Sequence, residues 1–331
     1  MTPEFKKNTR SIQTSKRIRI PLLILLFLGA LPGIQFFANY NYVIHLLLYT
    51  FMYITLTTSW NIIGGYGGFI SLGHNVFLCI GAYIAGYSAV RFGVSPFQMV
   101  LVSAFGAAFF GFIIGLITLR VRGPSFIISS IALVMILRIL FDHWETVGGA
   151  SGITLEYNNL AVQWSKIPHY YAFLIIAVLS ILLNWYVKHS KFGLALRALA
   201  HDEIRSEVAG INVRLIKVTA FSLSTFFIGA AGAIWADYLT YIRPNMFLII
   251  LIAANIVLMC ILGGKGTVSG PIIGAITLIL FNEIVLTFFG ATELNIMLTG
   301  LLLVGTLLFF PNGIVGTLKK RKRLPSFLDW D

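Results

Sequence analysis

Side chains that could act as nucleophiles, general bases or metal ligands are scattered through this chain. The histidines lie at positions 45, 74, 143, 169, 189 and 201, and no pair has the His-x-x-x-His spacing of a helical metal site. Cys79 and Cys260 fall inside long apolar runs, where a free thiol behaves as a small hydrophobe. Gly263-Gly264-Lys265-Gly266-Thr267 lacks the full spacing and the preceding strand of a phosphate-binding loop. We therefore predict no enzymatic activity, no catalytic residues, no metal site and no disulfide framework.

Three ionisable residues interrupt apolar segments: Arg138, Asp237 and Glu283. A charge at membrane depth is costly and usually faces a bundle interior, a cavity or an opposite charge. We expect all three in the outer half of the membrane. Two interpretations stay open, an ion pair from Arg138 to Asp237 or Glu283, and a role lining an outer vestibule. Glu283 would also be the acidic residue of an ion-driven transporter.

Uncharged polar residues gather near the first of two glycine clusters. The candidates for lining a transport pathway are Thr58, Asn61, Ser71, His74 and Asn75. Hydroxyl and amide side chains also hold membrane helices together, so both roles stay open.

The two glycine clusters, Gly64-Gly65-Tyr66-Gly67-Gly68 and Gly263-Gly264-Lys265-Gly266, each follow two branched apolar residues. Glycine there permits positive φ and close backbone approach. Each cluster is therefore either an ordinary interhelical turn or a break where a helix comes apart within the membrane.

Residues 188–214 form the longest polar loop and carry both signs of charge. Its first half is rich in Ala and Leu, Asp202 is placed to cap a second helix, and Gly210 is placed to end it. The pattern predicts two short amphipathic helices. They would rest on lipid headgroups or dock into a protein groove; acidic Asp202, Glu203 and Glu207 argue against anionic lipid.

The composition requires membrane elements around these residues. The chain is 58% apolar and 11% charged, whereas soluble domains carry about 25% charged residues. No Asp, Glu, Lys or Arg occurs between Pro21 and Val90. Helices need about 20 apolar residues to cross the hydrocarbon core. We predict an all-α polytopic membrane protein with about ten spans, at Pro21–Phe37, Tyr42–Ile63, Phe69–Val90, Pro96–Leu119, Pro124–Phe141, His169–Val187, Leu215–Tyr241, Met246–Leu262, Pro271–Phe289 and Leu294–Pro311.

Basic residues set the orientation, since cytoplasmic loops are enriched in Lys and Arg. Ten crossings place a basic tail (1–20), the 188–214 loop and a second basic tail (312–331) on one side, around a membrane domain at 21–311. Both termini are therefore predicted to be cytoplasmic. The formal charge of +12 reflects this topology and does not indicate nucleic-acid binding. The basic N-terminus also resembles a signal peptide, but the length of its apolar run favours an uncleaved first span.

Several motifs together resemble LivM-type permeases. The stretch Gly64 to His74 resembles the family's Gly-Tyr-x-Gly-x-x-Ser-Leu-Gly-His segment, and Gly81-Ala82-Tyr83 follows it. The likeness continues, in order over residues 50 to 315, through Phe192-Gly193, Leu196-Arg197-Ala198, Asp202-Glu203, Gly210-Ile211-Asn212-Val213, Lys217, Leu262-Gly263-Gly264-Lys265-Gly266, Gly270-Pro271, Gly274 and Phe309-Phe310-Pro311-Asn312-Gly313.

The resemblance implies the pore-forming subunit of an ABC importer for branched-chain amino acids in a bacterial cytoplasmic (inner) membrane. The implied partners are a second, LivH-like permease, two LivG- and LivF-like ATPase subunits that bind the ATP and Mg²⁺, an extracytoplasmic binding protein and the bilayer. The 188–214 loop then looks like the ATPase-coupling element, with Gly193, Leu196, Arg197, Asp202, Glu203 and Gly210 as candidate residues. Related permeases that carry urea or short amides are an alternative, as is an ion-driven secondary transporter.

Overall fold

The computed structural model describes residues 28–29, 32, 40–121, 123–155, 166–290, 293–310, 312–321, 325 and 330. Within them the regular structure is helical apart from one short antiparallel ladder. The elements, in chain order, are α1 (Tyr40–Asn61, continued by a π-helical turn over Ile62–Tyr66), α2 (Asn75–Phe92), α3 (Val100–Thr118), α4 (Pro124–His143), β1 (Ile153–Thr154), α5 (Ile167–His189), α6 (Lys191–His201), α7 (Glu203–Val208), α8 (Val213–Leu239), β2 (Tyr241–Ile242), α9 (Pro244–Phe247), α10 (Ile250–Gly263), α11 (Ser269–Phe289), α12 (Glu293–Phe309) and α13 (Gly313–Lys320).

Eight helical segments of the described residues are long and apolar enough to cross a membrane. They correspond to the second through ninth predicted spans, and α9 with α10 forms one of them. The all-α polytopic class is confirmed. The tenth predicted span corresponds to α12, which has 17 residues. The first predicted span lies outside the described residues except for positions 28, 29 and 32, as does the 1–20 tail, so the total of ten and the placement of the termini stay predictions.

The predicted start of the third span is wrong. It was placed at Phe69, but α2 begins at Asn75 and residues 67–74 are irregular. Apolar composition marked these residues as membrane-embedded, and they are mostly buried, yet their backbone does not continue the helix. The first glycine cluster is therefore a break within the bundle.

Helix α8 forms the centre of the bundle and packs against α1, α2, α3 and α5. Small residues let it approach α2 closely: a Cβ at Gly81 would overlap the Gly229 carbonyl, and one at Gly232 would overlap the Leu78 carbonyl. Such close backbone contact is the main source of association between helices that share an apolar solvent. Helices α3 and α4 turn large apolar side chains such as Phe105 and Ile136 outward.

The two ends of the bundle differ. One, here called the ladder end, carries the β1–β2 ladder, which pairs Ile153 with Ile242 and Thr154 with Tyr241, beside short 3-10 turns at Glu145–Val147 and Gly149–Ser151. The other, the basic end, carries α6, α7 and α13, with the chain segment at Arg120. The excess of Lys and Arg at the basic end predicts that it faces the cytoplasm.

Candidate functional site

The irregular segment 67–74 runs from the basic end into the bundle with its backbone groups paired. Phe69 N–H donates to the Ile63 carbonyl at 3.2 Å. The Trp60 indole donates to the Ser71 carbonyl at 2.8 Å, and the Leu72 N–H donates to Ser130 Oγ at 2.9 Å. Non-helical backbone survives at membrane depth only when it is satisfied by protein in this way.

A second break meets this segment from the ladder end. Helix α9 ends at Phe247 and α10 begins at Ile250, which frees carbonyls that a continuous helix would pair. The Asn75 side-chain amide donates to the Phe247 carbonyl at 3.0 Å and to the Ile249 carbonyl at 3.1 Å. The residue that follows the first break therefore pairs the carbonyls of the second, and we call residues 67–75 with 247–250 the broken-helix junction.

His74 places the junction deep in the bundle. Its Nε2 lies 3.0 Å from Ser224 Oγ, which is about 16 Å along α8 at 1.5 Å per residue. The ring packs against Phe77 and Phe221. His74 Nδ1 and Asn75 Oδ1 are buried and have no hydrogen-bond partner. The junction therefore contains buried polar atoms without hydrogen-bond partners next to two helix breaks. Transporters use such an arrangement near the bilayer midplane to bind substrate.

The two glycine clusters touch each other at the basic end. Asn61 donates to the Thr267 carbonyl at 2.9 Å and accepts from the Gly266 N–H at 2.9 Å. A Cβ at Gly65 would lie 2.7 Å from the Gly266 nitrogen, which only glycine avoids. The clusters thus join α1 to the α10–α11 turn.

The predicted pathway residues Thr58, Asn61, Ser71, His74 and Asn75 are all at most 1% exposed. Thr58 Oγ1 lies 2.8 Å from Ser180 Oγ, and the Thr58 carbonyl accepts from Asn184. Thr58 and Asn61 therefore hold helices together in this conformation, whereas His74 and Asn75 carry the unpaired atoms. Their role in lining a pathway stays a prediction.

The two predicted helices of the 188–214 loop are present as α6 and α7. Ser190 caps α6, Asp202 caps α7 through the Arg205 N–H at 3.1 Å, and Gly210 follows α7 with φ +84°. Arg197 turns back to donate to the Lys188 and Gly193 carbonyls, at 3.0 and 3.2 Å. The capping prediction is therefore confirmed, and Arg197 supports the loop itself.

Helix α6 lies directly on the start of the broken segment. Leu196 is fully buried, and its Cδ1 would lie 3.2 Å from a Cβ at Gly67. Ala200 Cβ would lie 3.3 Å from a Cβ at Gly68, whose φ is +75°. The outer side of the pair remains apolar, since Leu194, Ile204 and Val208 are 63%, 67% and 85% exposed.

Glu203 pairs with Lys217, and its role in ATPase coupling stays a prediction. Its Oε1 lies 2.5 Å from Lys217 Nζ, with the two side chains 11% and 5% exposed, so it is not a free docking acid. The Lys217 ammonium also lies 4.9 Å from the centroid of the Phe69 ring. This Glu203–Lys217–Phe69 cluster ties α7, α8 and the broken segment together.

Gly193 occupies a packing position, and its role in ATPase coupling stays a prediction. A Cβ there would overlap the Val187 carbonyl, so glycine is required where α5 turns into α6. Substitutions at Gly193 would disturb the turn itself.

Of the two interpretations left open for the membrane charges, the ion pair from Arg138 to Asp237 or Glu283 is wrong, and the role lining an outer vestibule stays a prediction. Arg138 lies 3.9 Å from Asp142, one turn along α4. Asp237 lies 2.9 Å from His169 Nε2, and Glu283 accepts from the Tyr42 hydroxyl. Since Tyr42 lies in the first turn of α1, Glu283 is near the ladder end and not at the midplane position that an ion-driven carrier would use.

An aromatic strip at the ladder end has no counterpart among the predicted residues. His45 Nδ1 lies 2.6 Å from the Tyr238 hydroxyl, and Tyr238 stacks on Trp235. Tyr49 extends the strip, and His169 contacts Tyr238 edge-on. The sequence signal for this strip is the set of polar aromatic residues one turn apart on α1 and α8.

Comparison with known proteins identifies related sequences. A sequence model of the family described as "Branched-chain amino acid transport system / permease component" matches residues 42–307. The chain is 27% identical over 304 residues to the high-affinity branched-chain amino acid transport system permease protein LivM of Escherichia coli (strain K12), covering 84% of this chain and 71% of that protein. The corresponding LivH of Salmonella typhimurium is 24% identical over 283 residues, covering 83% and 82%. The ribose import permease protein RbsC of Haemophilus influenzae is 26% identical over 284 residues, covering 81% and 84%. No solved structure matches the chain.

Proposed function

We propose a function for this chain from the premise that it belongs to the branched-chain amino acid transport system permease family. It is the permease subunit of an ABC importer for leucine, isoleucine and valine, and it spans a bacterial inner membrane several times. A second, LivH-like permease completes the pore, two ATPase subunits hold ATP and Mg²⁺, and an extracytoplasmic protein delivers the substrate. The names of the LivM and LivH relatives support this substrate class.

The observation that carries the proposal is the seat of α6 on the broken segment. The exposed apolar residues Leu194, Ile204 and Val208 give an ATPase subunit a surface to hold. On the opposite face, the side chains of Leu196 and Ala200 pack directly against Gly67 and Gly68. A displacement of the α6–α7 pair is therefore applied directly to the segment that leads to His74 and Asn75.

The junction supplies the second conformation that alternating access requires. An importer needs a pore with two states that its ATPases bind with different affinity. Breaking the two Asn75 hydrogen bonds would separate residues 67–75 from 247–250 and expose polar atoms to the pathway. A zwitterionic amino acid can replace those bonds as it passes, which the apolar walls elsewhere cannot do.

Disrupting the exposed face tests the proposal. Leu194→Glu and Val208→Glu should prevent co-purification of the ATPase subunits and abolish leucine uptake, while the chain remains in the membrane at wild-type levels. Ser222→Ala, on the α8 side facing α3, is the control and should retain both properties. Full uptake by both glutamate variants would contradict the assignment of this face.

Substrate class needs a separate measurement. Membranes containing the intact complex should take up labelled leucine in competition with isoleucine and valine, with ATP hydrolysis stimulated by the binding protein. Because a ribose permease is also a relative, ribose is the informative competitor. Ribose uptake without leucine uptake would replace the proposed substrate, and uptake without any ATPase would replace the importer mechanism.

A further inference from the structure

A groove of about 910 Å³ lies where α5 ends, α6 begins and α8 passes. Its walls are mainly apolar and aromatic, and no acidic residue lines it. The lining residues are Leu183, Trp185, Tyr186, Val187, His189, Ser190, Lys191, Phe192, Thr219 and Leu223. This lining suits a hydrocarbon chain with an anionic head.

The position of the groove along the membrane helices indicates that its occupant is a lipid. The candidate span of α5 ends at His189 and that of α8 begins at Val213, so the groove lies where both helices leave the hydrocarbon. Trp185 and Tyr186 are 48% and 66% exposed, and such aromatic residues mark the headgroup level of a membrane protein. A groove open at this level is filled from the bilayer.

The charge of the residues at the mouth of the groove indicates an anionic lipid. Lys191 and His189 are exposed at the polar rim, and Ser190 begins α6. Basic pockets between membrane helices at this depth bind anionic headgroups. A nearby cleft of about 500 Å³ under α6 and α7 is lined instead by His201, Asp202 and Glu203 and by no lysine or arginine. The two cavities therefore differ in the charge they accept.

We propose that the groove binds one anionic phospholipid of the leaflet at the basic end. The acyl chains lie against Tyr186, Phe192 and Leu223, and the phosphate lies beside Lys191 and His189. The bound lipid fills the space behind α6 and holds the α5–α6 turn in place. This inference requires only that the chain spans a membrane, and it stands or falls separately from the importer assignment.

Lipid retention tests the site directly. The full chain is reconstituted into nanodiscs of equal parts phosphatidylcholine and phosphatidylglycerol and re-purified in detergent, and its retained lipids are counted by native mass spectrometry. Wild-type chain should retain phosphatidylglycerol in preference to phosphatidylcholine. Lys191→Glu should weaken that retention about thirtyfold, the change expected when one basic contribution is lost and one repulsion is added. Arg91→Glu, at an exposed basic residue of the ladder end, should have no effect.

A variant that blocks the groove without altering its charge tests the apolar part of the site separately. Thr219→Trp fills the groove from α8 and should expel phosphatidylglycerol and phosphatidylcholine alike, without changing any charge. Equal retention of the two lipids by wild type, or unchanged phosphatidylglycerol retention in Lys191→Glu, would overturn the proposal. Retention of inorganic phosphate but not of lipid would also overturn it, because the apolar walls would then have no occupant.

Discussion

The buried Glu203–Lys217 pair gives the most direct test of how the loop is attached to the membrane domain. We consider Glu203→Lys, which replaces the attraction at 2.5 Å by a repulsion between two cations. Removing one partner of a buried pair costs about 3–5 kcal/mol because the remaining charge stays desolvated. Helix α7 has six residues, so this cost is expected to detach α7 locally and leave the bundle folded.

The magnitude follows from the equilibrium between seated and detached α7. Since about 1.4 kcal/mol corresponds to a tenfold change, the equilibrium constant for seating α7 should fall by a factor of about 10² to 4 × 10³. Hydrogen exchange of residues 203–208 in the purified chain should accelerate by a similar factor, while the centre of α8 stays protected. Leucine uptake should fall as α7 detaches, since the broken segment would no longer move with the loop.

The reciprocal variant makes the test specific. Glu203→Lys combined with Lys217→Glu restores opposite charges and should recover protection relative to either single variant. Glu207→Lys, an exposed acid on the same helix, is the control for adding a cation and should leave exchange unchanged. If the double variant is no better protected than the singles, the two side chains do not act as a pair. If Glu203→Lys exchanges like wild type, α7 is held by other contacts.

Three further predictions concern the glycines and the junction. Gly68→Leu should uncouple uptake from ATP hydrolysis, because the new side chain meets Ala200 and a φ of +75° costs about 1–2 kcal/mol for a residue with a Cβ. The control is Gly93→Leu, which has a similar φ of +66° but open space around it, and this variant should retain uptake. Asn75→Leu should leave the Phe247 carbonyl unpaired, at about 1–3 kcal/mol, and lower the thermal unfolding midpoint, whereas the Ile249 carbonyl keeps its bond from the Ile252 N–H. Asn75→Asp should not rescue it, because a carboxylate cannot donate. Gly229→Leu should prevent packing of α8 against α3 and reduce membrane accumulation, whereas Gly300→Leu, with open space on α12, should accumulate normally.

The second to ninth spans were predictable because each depends on a local property, the length of an apolar run between turn formers. The caps at Asp202 and Gly210 were predictable for the same reason. The break at 67–74 was only half predictable: the glycines indicated a turn, but composition could not say that the backbone would stay buried after it. That depends on Trp60 and Ser130, which come from other parts of the chain.

Charge pairing was the less predictable part. The Arg138–Asp142 contact has the i,i+4 spacing of an ordinary helix pair and was visible in the sequence. The contact between Glu203 and Lys217 was not visible in the sequence, because an acid-rich loop does not reveal which carboxylate faces inward. A lone lysine early in an apolar helix is the available signal, since it needs a partner when buried.

The contacts that we propose to carry coupling lie within direct reach of one another. The α6–α7 pair touches Gly67 and Gly68, and Lys217 holds both α7 and Phe69. Residues 67–74 then lead to Asn75, which binds the break between α9 and α10. Interfaces of packed side chains shift between discrete arrangements and do not stretch. A displacement of the loop must therefore either leave these contacts intact or separate the junction. Opening the junction breaks the two Asn75 hydrogen bonds, and the unpaired His74 Nδ1 and Asn75 Oδ1 give entering water or substrate further polar partners. We therefore expect the bundle to open at Asn75 when a force is applied at α6.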